Sequence, residues 1–212
     1  MPTTELLWAY VLAVALLTVT PGVDTLLVVR NTARGGLRDG VVSSAGICCG
    51  LFVHATLSAV GISLILVQTA WAFSILKWAG ACYLIWLGLS SLYHAIRPAQ
   101  PEVVQAAGAA QTVSLGRSFR EGVFSNVLNP KTALFYMAFL PQFIDPQGPA
   151  FAQSIGLASI HFLLAMLWQC GLALVVVKSH KVVVSQGLKR ILQGVTGGVF
   201  VGFGARLAVT QP

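Results

Sequence analysis

The stretch Thr20-Pro21-Gly22-Val23-Asp24 interrupts an apolar run that extends from residue 6 to residue 29. Proline has no amide hydrogen, so the carbonyl of Leu17 loses the donor that a continuous helix would supply, and the glycine adds backbone freedom. In a bilayer an unpaired carbonyl and an ionisable carboxylate are both unfavourable, so this segment must face protein or a water-filled cavity. The sequence predicts a broken membrane helix with a polar group at the break.

A second break of the same kind lies in the other half of the chain. The triplet Asn129-Pro130-Lys131 interrupts the fourth apolar run and releases the carbonyl of Asn126. Pro21 and Pro130 each lie about nine or ten residues from a flanking arginine, which at 1.5 Å per residue places both near the middle of a hydrocarbon core about 30 Å thick. Paired broken spans indicate the substrate site of a secondary transporter.

The composition is that of a membrane protein. Only 9% of the residues are charged, against roughly 25% in a soluble domain. We predict an all-α integral membrane protein that forms a single transporter domain over residues 1–212. It has six transmembrane helices, near residues 6–29, 41–66, 70–93, 119–143, 150–176 and 187–209, each long enough to cross a bilayer.

The basic residues predict the orientation of these spans. They concentrate after the first, third and fifth spans (Arg30, Arg34, Arg38, Arg97, Arg117, Arg120, Lys178, Lys181, Lys189 and Arg190). The other side has only Arg206, with Lys77 if the third span begins late. By the positive-inside rule both termini lie outside the cytoplasm. The net charge of +7 is explained by loops that face the lipid bilayer, and no nucleic-acid partner is needed.

The six spans divide into two halves of three. Residues 1–93 and 119–209 have corresponding broken helices, and a linker over residues 94–118 joins them. An odd number of spans in each half makes the halves opposite in orientation, so we predict two inverted three-helix repeats with broken helices 1 and 4.

Asp24 and Lys131 are the charged residues at the two breaks. Asp24 lies in the first turn of a half-helix, where the helix dipole favours a carboxylate. It could bind a substrate ammonium or exchange a proton, or it could only cap the helix. Lys131 has the wrong sign for its helix end and needs a partner. It could form a salt bridge with Asp24 that opens when substrate arrives, bind a substrate carboxylate, or snorkel to the headgroups.

Neutral polar residues and glycines complete the candidate set. Asn126 and Asn129 flank the second break and could either satisfy the backbone or bind a polar ligand. His54 lies on one helical stripe with Gly46 and Gly50 and could relay protons, with His161 as its symmetric counterpart. The glycines themselves predict close helix packing. A second ladder, of Gly194, Gly198 and Gly202, predicts packing within the protein or between protomers of a homodimer.

Other chemistry has no support in the sequence. There is no phosphate-binding loop, no H-E-x-x-H motif and no convincing serine triad, so we expect no enzyme, no catalytic residues and no cofactor. The four cysteines (Cys48, Cys49, Cys82 and Cys170) lie in predicted spans without C-x-x-C spacing, which favours packing over metal binding or thiol exchange.

The same residues resemble the LysE/RhtB family of bacterial inner-membrane exporters of amino acids such as lysine, threonine and homoserine. The resemblance covers nearly the whole chain. It is carried by residues 20–26, Arg30-Asn31, residues 46–50 with His54, residues 77–84, Leu87-Gly88, residues 126–135 and residues 139–143. One departure is Val23, where the family often has a second proline.

The resemblance implies efflux of an amino acid driven by the proton gradient, and it carries the site over onto Pro21, Gly22, Asp24, Asn129, Pro130 and Lys131. Protons are then the coupling ion. Two alternatives are a metal or other cation exporter on a similar scaffold, which needs several clustered ligands, and a membrane scaffold protein that transports nothing.

Overall fold

A computed structural model describes residues 4–68, 70–96, 114–178 and 186–209 of the chain. This described part is helical, with no strand among its residues. Its seven α-helices are α1 (Thr4–Val19), α2 (Val23–Gln68), α3 (Ala70–Ile96), α4 (Leu115–Val127), α5 (Pro130–Ala138), α6 (Ala150–Lys178) and α7 (Gln186–Val209). A 3₁₀-helix, Leu140–Phe143, follows α5. The prediction of an all-α fold is confirmed, and the count of six spans stays a prediction.

The first break lies where the sequence predicts it. Helix α1 ends at Val19 because the residue before a proline is driven out of the helical region and Pro21 has no amide hydrogen. Helix α2 then begins at Val23 with Asp24 in its first turn. Gly22 has no positive φ, so the backbone freedom expected of this glycine is not used.

Helix α2 is kinked within the segment predicted as a loop between the first two spans. Gly35 and Gly36 have non-helical backbone angles, and Gly36 has a φ of 75°, which favours glycine. The residues on either side, including Arg34 and Arg38, are helical. The predicted loop is therefore mostly helix with a sharp change of direction at two glycines.

The second break separates α4 from α5. Asn129 caps α5 by accepting a hydrogen bond from the backbone N–H of Lys131 at 3.0 Å, and Pro130 occupies the first helical position, where its missing donor does no harm. Helix α3 continues to Ile96 and helix α4 begins at Leu115, so the predicted linker over residues 94–118 is helical at both ends. Its residues 97–113 lie outside the described part.

Helix α2 packs along α4 and α6, and glycines set its distance from α4. A Cβ at Gly46 would collide with the backbone carbonyl of Phe119, and a Cβ at Gly122 would collide with that of Ser43. The two helices approach so closely that only glycine fits at these positions, which is the small-residue packing of membrane helices. This contact holds the end of α4 against α2.

Helix α3 packs along α7, but not through the predicted glycine ladder. Nothing lies within 4 Å of a Cβ built at Gly194, Gly198 or Gly202. Gly197 and Gly204 make the contact instead, against Gly88 and Ala81 of α3 respectively. Gly194, Gly198 and Gly202 lie on a different face of α7 from Gly197 and Gly204. The predicted ladder therefore does not contact α3. Contact of that ladder with a second protomer stays a prediction.

A charged cluster joins α2 to the beginning of α4. Glu121 accepts hydrogen bonds from Arg30 at 2.6 Å, Arg117 at 2.8 Å and Asn31 at 3.2 Å. Arg34 pairs with the buried Asp39 at 3.0 Å and lies 3.5 Å from Glu121. The cluster fixes the two helices at the end of α4 opposite the break.

Two helices in the described part are long and apolar enough to cross a membrane, Val23–Gly61 and Ala150–Lys178. Thr4–Val19 and Leu84–Ile96 are shorter apolar helices. Aromatic side chains of α5 lie in the hydrophobic core: Phe135 and Tyr136 are fully buried. Because α5 starts at the second break, this packing fixes the position of Lys131.

Candidate functional site

The two helix breaks meet at one polar cavity. Thr20, Gly22 and Asp24 line it from the first break, and Asn126, Asn129 and Lys131 from the second. Residues about a hundred positions apart in the sequence are thus brought together at the point where both helices are interrupted.

Asp24 receives three hydrogen bonds from the segment around the second break. Ser125 Oγ donates to Oδ1 at 2.7 Å, and the side-chain amides of Asn126 and Asn129 donate to Oδ2 at 3.0 and 3.3 Å. All three donors are neutral. The carboxylate is therefore stabilised by neutral dipoles, including that of α2, and it forms no salt bridge in the described part of the chain.

Lys131 binds the carbonyls that the first break releases. Its Nζ donates to the carbonyl oxygen of Leu17 at 2.9 Å and to that of Thr20 at 3.1 Å. The carbonyl of Leu17 is the one that Pro21 deprives of its helical donor. An ammonium group has three hydrogens, so one N–H of Lys131 is left for another acceptor.

Asp24 and Lys131 do not form a salt bridge in this structure, and the hypothesis of a bridge that opens when substrate arrives stays a prediction. Both residues lie in the described part, and each makes the contacts given above rather than an ion pair with the other. The reason is that each break supplies better-placed partners. Carbonyls of the first break face the lysine, and amides of the second face the carboxylate.

His54 lies behind the second break and not in the cavity. Its Nε2 is 3.0 Å from the backbone oxygen of Asn126, which also accepts from the backbone N–H of Asn129 at 3.0 Å. The histidine is buried and satisfies the carbonyl that Pro130 releases. Gly50 lies beside it on α2, and a Cβ there would be 2.8 Å from Asn126 Oδ1.

The histidine that lines the cavity is His161 of α6. Its Nε2 lies 3.1 Å from Thr18 Oγ1 and its Nδ1 lies 3.0 Å from the hydroxyl of Tyr136. From the sequence, His161 was predicted only as the symmetric counterpart of His54. The two residues differ in role because α6 faces the cavity at this position, whereas His54 faces the backbone at the end of α4.

Two further residues were missed by the sequence analysis. Ser125 directly precedes Asn126 in the polar segment before Pro130. This position next to a predicted site residue could have indicated that Ser125 also contributes to the site. Gln169 of α6 lines the cavity, and it lies eight residues after His161, on the same helix face. Pro21 and Pro130 do not line the cavity; they create the breaks that form it.

Within the described residues, no group of three or more histidine, cysteine, aspartate or glutamate side chains is placed to hold a metal ion. The described cysteines are unpaired.

The chain is similar in sequence to several known proteins. The family model of LysE type translocators matches residues 15–211. The chain is 35% identical to the homoserine/homoserine lactone efflux protein of Salmonella typhimurium over 212 residues, which covers 97% of each chain. It is 33% identical to the membrane protein YrhP of Bacillus subtilis, over 96% of this chain and 99% of that protein. It is 28% identical to the leucine efflux protein of Salmonella typhimurium, over 96% and 95% respectively. No solved structure matches the chain.

The fold, the cavity and these matches define a membrane transporter and not an enzyme. The chain belongs to the LysE family of translocators, because the family model covers nearly its whole length and the relatives align with it from end to end. The family resemblance noted in the sequence is thereby confirmed.

Proposed function

We propose that this protein exports an amino acid or a close derivative across the bacterial inner membrane in exchange for protons. Two of its relatives are named for the efflux of homoserine or its lactone and of leucine. The observation that carries the proposal is that one cavity contains a carboxylate and an ammonium that form no salt bridge with each other. A zwitterion has the complementary pair of charges.

Each charge of the cavity has a place for one end of this substrate. Asp24 meets only neutral donors, so a substrate ammonium adds the opposite charge that the carboxylate lacks. Lys131 has one remaining N–H for the substrate carboxylate, and it stands at the N-terminal end of α5, where the helix dipole also favours an anion. The substrate can therefore bind while the hydrogen bonds of Asp24 and Lys131 at the two breaks are kept.

Proton exchange at Asp24 supplies the coupling. A neutral carboxyl group loses its attraction for the substrate ammonium, and an ionised one restores it. Protonation from the outside and deprotonation to the cytoplasm would then alternate with substrate release and binding. The proposal includes six spans in two inverted halves, residues 1–93 and 119–209, that rock around the cavity with both termini outside the cytoplasm.

The test is efflux from cells that express the protein and are preloaded with one of a panel of dipeptides. Wild type is compared with Asp24→Asn, which keeps the size of the side chain and removes its charge. Glu5→Gln is the matched control, because Glu5 lies in the exposed first turn of α1. We expect selective export by wild type and the control, and at least about a tenfold loss in Asp24→Asn, since this variant loses a full charge interaction.

Three outcomes would contradict parts of this proposal. Export that Asp24→Asn retains in full, and that still follows an imposed pH gradient, would exclude the coupling role of Asp24. Absence of export of any amino acid, with membrane insertion confirmed, would overturn the export function and favour a cation exporter or a scaffold protein. A reporter fused at either terminus that proved cytoplasmic would contradict the proposed orientation.

A further inference from the structure

The first break leaves backbone carbonyls at the C-terminal end of α1. Pro21 removes the amide that would bind the carbonyl of Leu17, and the carbonyl of Thr20 lies beyond the last helical residue, Val19. The C-terminal end of a helix also has a partial negative charge, which favours a cation. Leu17 and Thr20 both line the cavity. Freed carbonyls at the C-terminal end of an interrupted membrane helix are the groups that bind a monovalent cation in secondary transporters.

The cation at these carbonyls is the ammonium of Lys131. Its Nζ lies 2.9 Å from the oxygen of Leu17 and 3.1 Å from that of Thr20, although both residues are more than a hundred positions away in the sequence. Lys131 forms no salt bridge with a carboxylate in the described part of the chain. Asp24, which lines the same cavity, attracts it without contact. Backbone carbonyls therefore hold the charge of Lys131, as they would hold a bound ion.

The position of Lys131 in its own helix does not explain its charge. Lys131 follows Pro130 in the first turn of α5, where the helix dipole disfavours a cation. The backbone of this turn is already stabilised by Asn129, which caps the helix. The favourable interactions of the ammonium come from α1 instead. A lysine at this position is thus explained by the carbonyls of the first break.

We infer that the C-terminal end of α1 is a monovalent-cation site that the protein fills with its own ammonium. Because Lys131 is tethered to α5, this cation cannot leave with the substrate or exchange with the solution. Sodium therefore cannot occupy the first break while Lys131 is bound there, and efflux is independent of the sodium gradient. This consequence for the coupling ion rests on the proposed function, whereas the site itself does not.

The experiment empties the site and offers it a free cation. Lys131→Ala removes the side chain beyond Cβ, and the atoms that it removes have the composition of n-propylammonium, which is the probe. Thermal unfolding of the variant, purified in detergent, is measured in n-propylammonium chloride and in tetramethylammonium chloride at the same concentration. Tetramethylammonium has the same charge but no N–H group that could donate to a carbonyl.

We expect the Tm of Lys131→Ala to lie several degrees below that of wild type, since the carbonyls of Leu17 and Thr20 lose a charged donor. The probe should restore about half of that loss or more, because a ligand that binds only the folded state stabilises it. Tetramethylammonium should restore none of it. Wild type should have the same Tm in both salts, because its site is filled.

Lys178→Ala is the matched control, because Lys178 is an exposed lysine in the last turn of α6. It should have the Tm of wild type in both salts. Lys131→Gln keeps an amide that can donate to the carbonyls but lacks the charge, so its Tm should also lie below that of wild type. This second variant tests the need for a cation even if Lys131→Ala does not fold.

The consequence for coupling is tested on wild type. Cells that express the protein and are preloaded with the dipeptide panel are suspended in sodium chloride or in choline chloride at the same concentration. We expect the same rate of amino-acid export in both media, because the cation at the first break belongs to the chain.

Several results would overturn the inference. They are a Tm of Lys131→Ala equal to that of wild type, a Tm of this variant that the probe does not raise or that both salts raise equally, and wild-type export that requires sodium. If Lys131→Ala does not fold, a wild-type Tm in Lys131→Gln has the same meaning. Absence of amino-acid export from wild type would overturn the proposed function, and the Tm measurements would still decide the site.

Discussion

The two helix breaks are built from the same kind of sequence but are stabilised differently. The second break caps itself: Asn129 caps α5, and its backbone N–H also binds the carbonyl of Asn126. The first break depends on the second, because the carbonyls of Leu17 and Thr20 are bound by Lys131. One side chain of the second break thus completes the backbone of the first.

This asymmetry has a consequence for a transporter in which the two breaks move. Lys131 stabilises the first break, and in the proposed function it also binds the substrate carboxylate. Loss of the Lys131 contacts would loosen the end of α1, whereas α5 would keep its own cap. The first break is therefore the one whose stability depends on the other half of the chain.

The largest effect should come from Lys131→Met. This change leaves the carbonyls of Leu17 and Thr20 without their charged donor, and hydrogen bonds to charged groups contribute about 1.5–3 kcal/mol each. We expect at least a hundredfold loss of efflux and a Tm lowered by several degrees. Efflux is measured in preloaded cells, and thermal unfolding is measured on protein purified in detergent.

Lys178→Met is the control for that change, because Lys178 is an exposed lysine in the last turn of α6. It should leave both efflux and Tm near their wild-type values. Efflux by Lys131→Met at the wild-type rate would show that the first break does not need the second.

An intermediate effect is expected from Asn129→Ala. The variant removes the cap of α5 and one of the three donors to Asp24. Loss of an N-cap lowers stability by about 1 kcal/mol, within a range of 0.5–2, which is about 2–4 °C in Tm for a chain of this size. The measurement is thermal unfolding in detergent.

Asn129→Ser separates the two roles of that side chain. Serine is also a favourable N-cap residue, so this variant should recover most of the lost Tm. Equal Tm values for the alanine and serine variants would mean that the second break is not stabilised by its own cap.

The smallest effect should come from His54→Leu. The carbonyl of Asn126 loses one partner but keeps the backbone N–H of Asn129, so the loss is about one hydrogen bond, or about 1 kcal/mol. We expect a small decrease in Tm with efflux reduced less than about threefold. Complete loss of efflux in a variant that still folds would return His54 to the transport mechanism.

The sequence predicted the parts of the site that depend on local chemistry. Pro21 and Pro130 end their helices because a proline lacks the donor and disfavours helix in the residue before it, and these rules need no tertiary information. The all-α fold follows from the apolar runs in the same way. Asn129 was predicted to satisfy the backbone or bind a polar ligand because it flanks the break, and the structure shows that it caps α5.

The tertiary structure decided which residues face one another. Whether His54 or His161 lines the cavity, and whether Gly194 or Gly197 meets α3, depends on the rotation of each helix about its axis, since a shift of one residue turns a side chain by about 100°. Gln169 could not be found at all from the sequence, because a single glutamine in an apolar helix has no pattern around it. Its importance is visible only once its neighbours are known.

The sequence by itself thus determined that the chain is a helical membrane protein with one polar break in each half. Only the tertiary structure decided that the breaks stabilise each other. Lys131 donates hydrogen bonds to carbonyls of the first break, and Asp24 accepts hydrogen bonds from side-chain amides of the second. The physical reason is the range of the forces involved. Helix breaks arise from backbone groups within a few residues, whereas the partners of the released groups are more than a hundred residues away in the sequence.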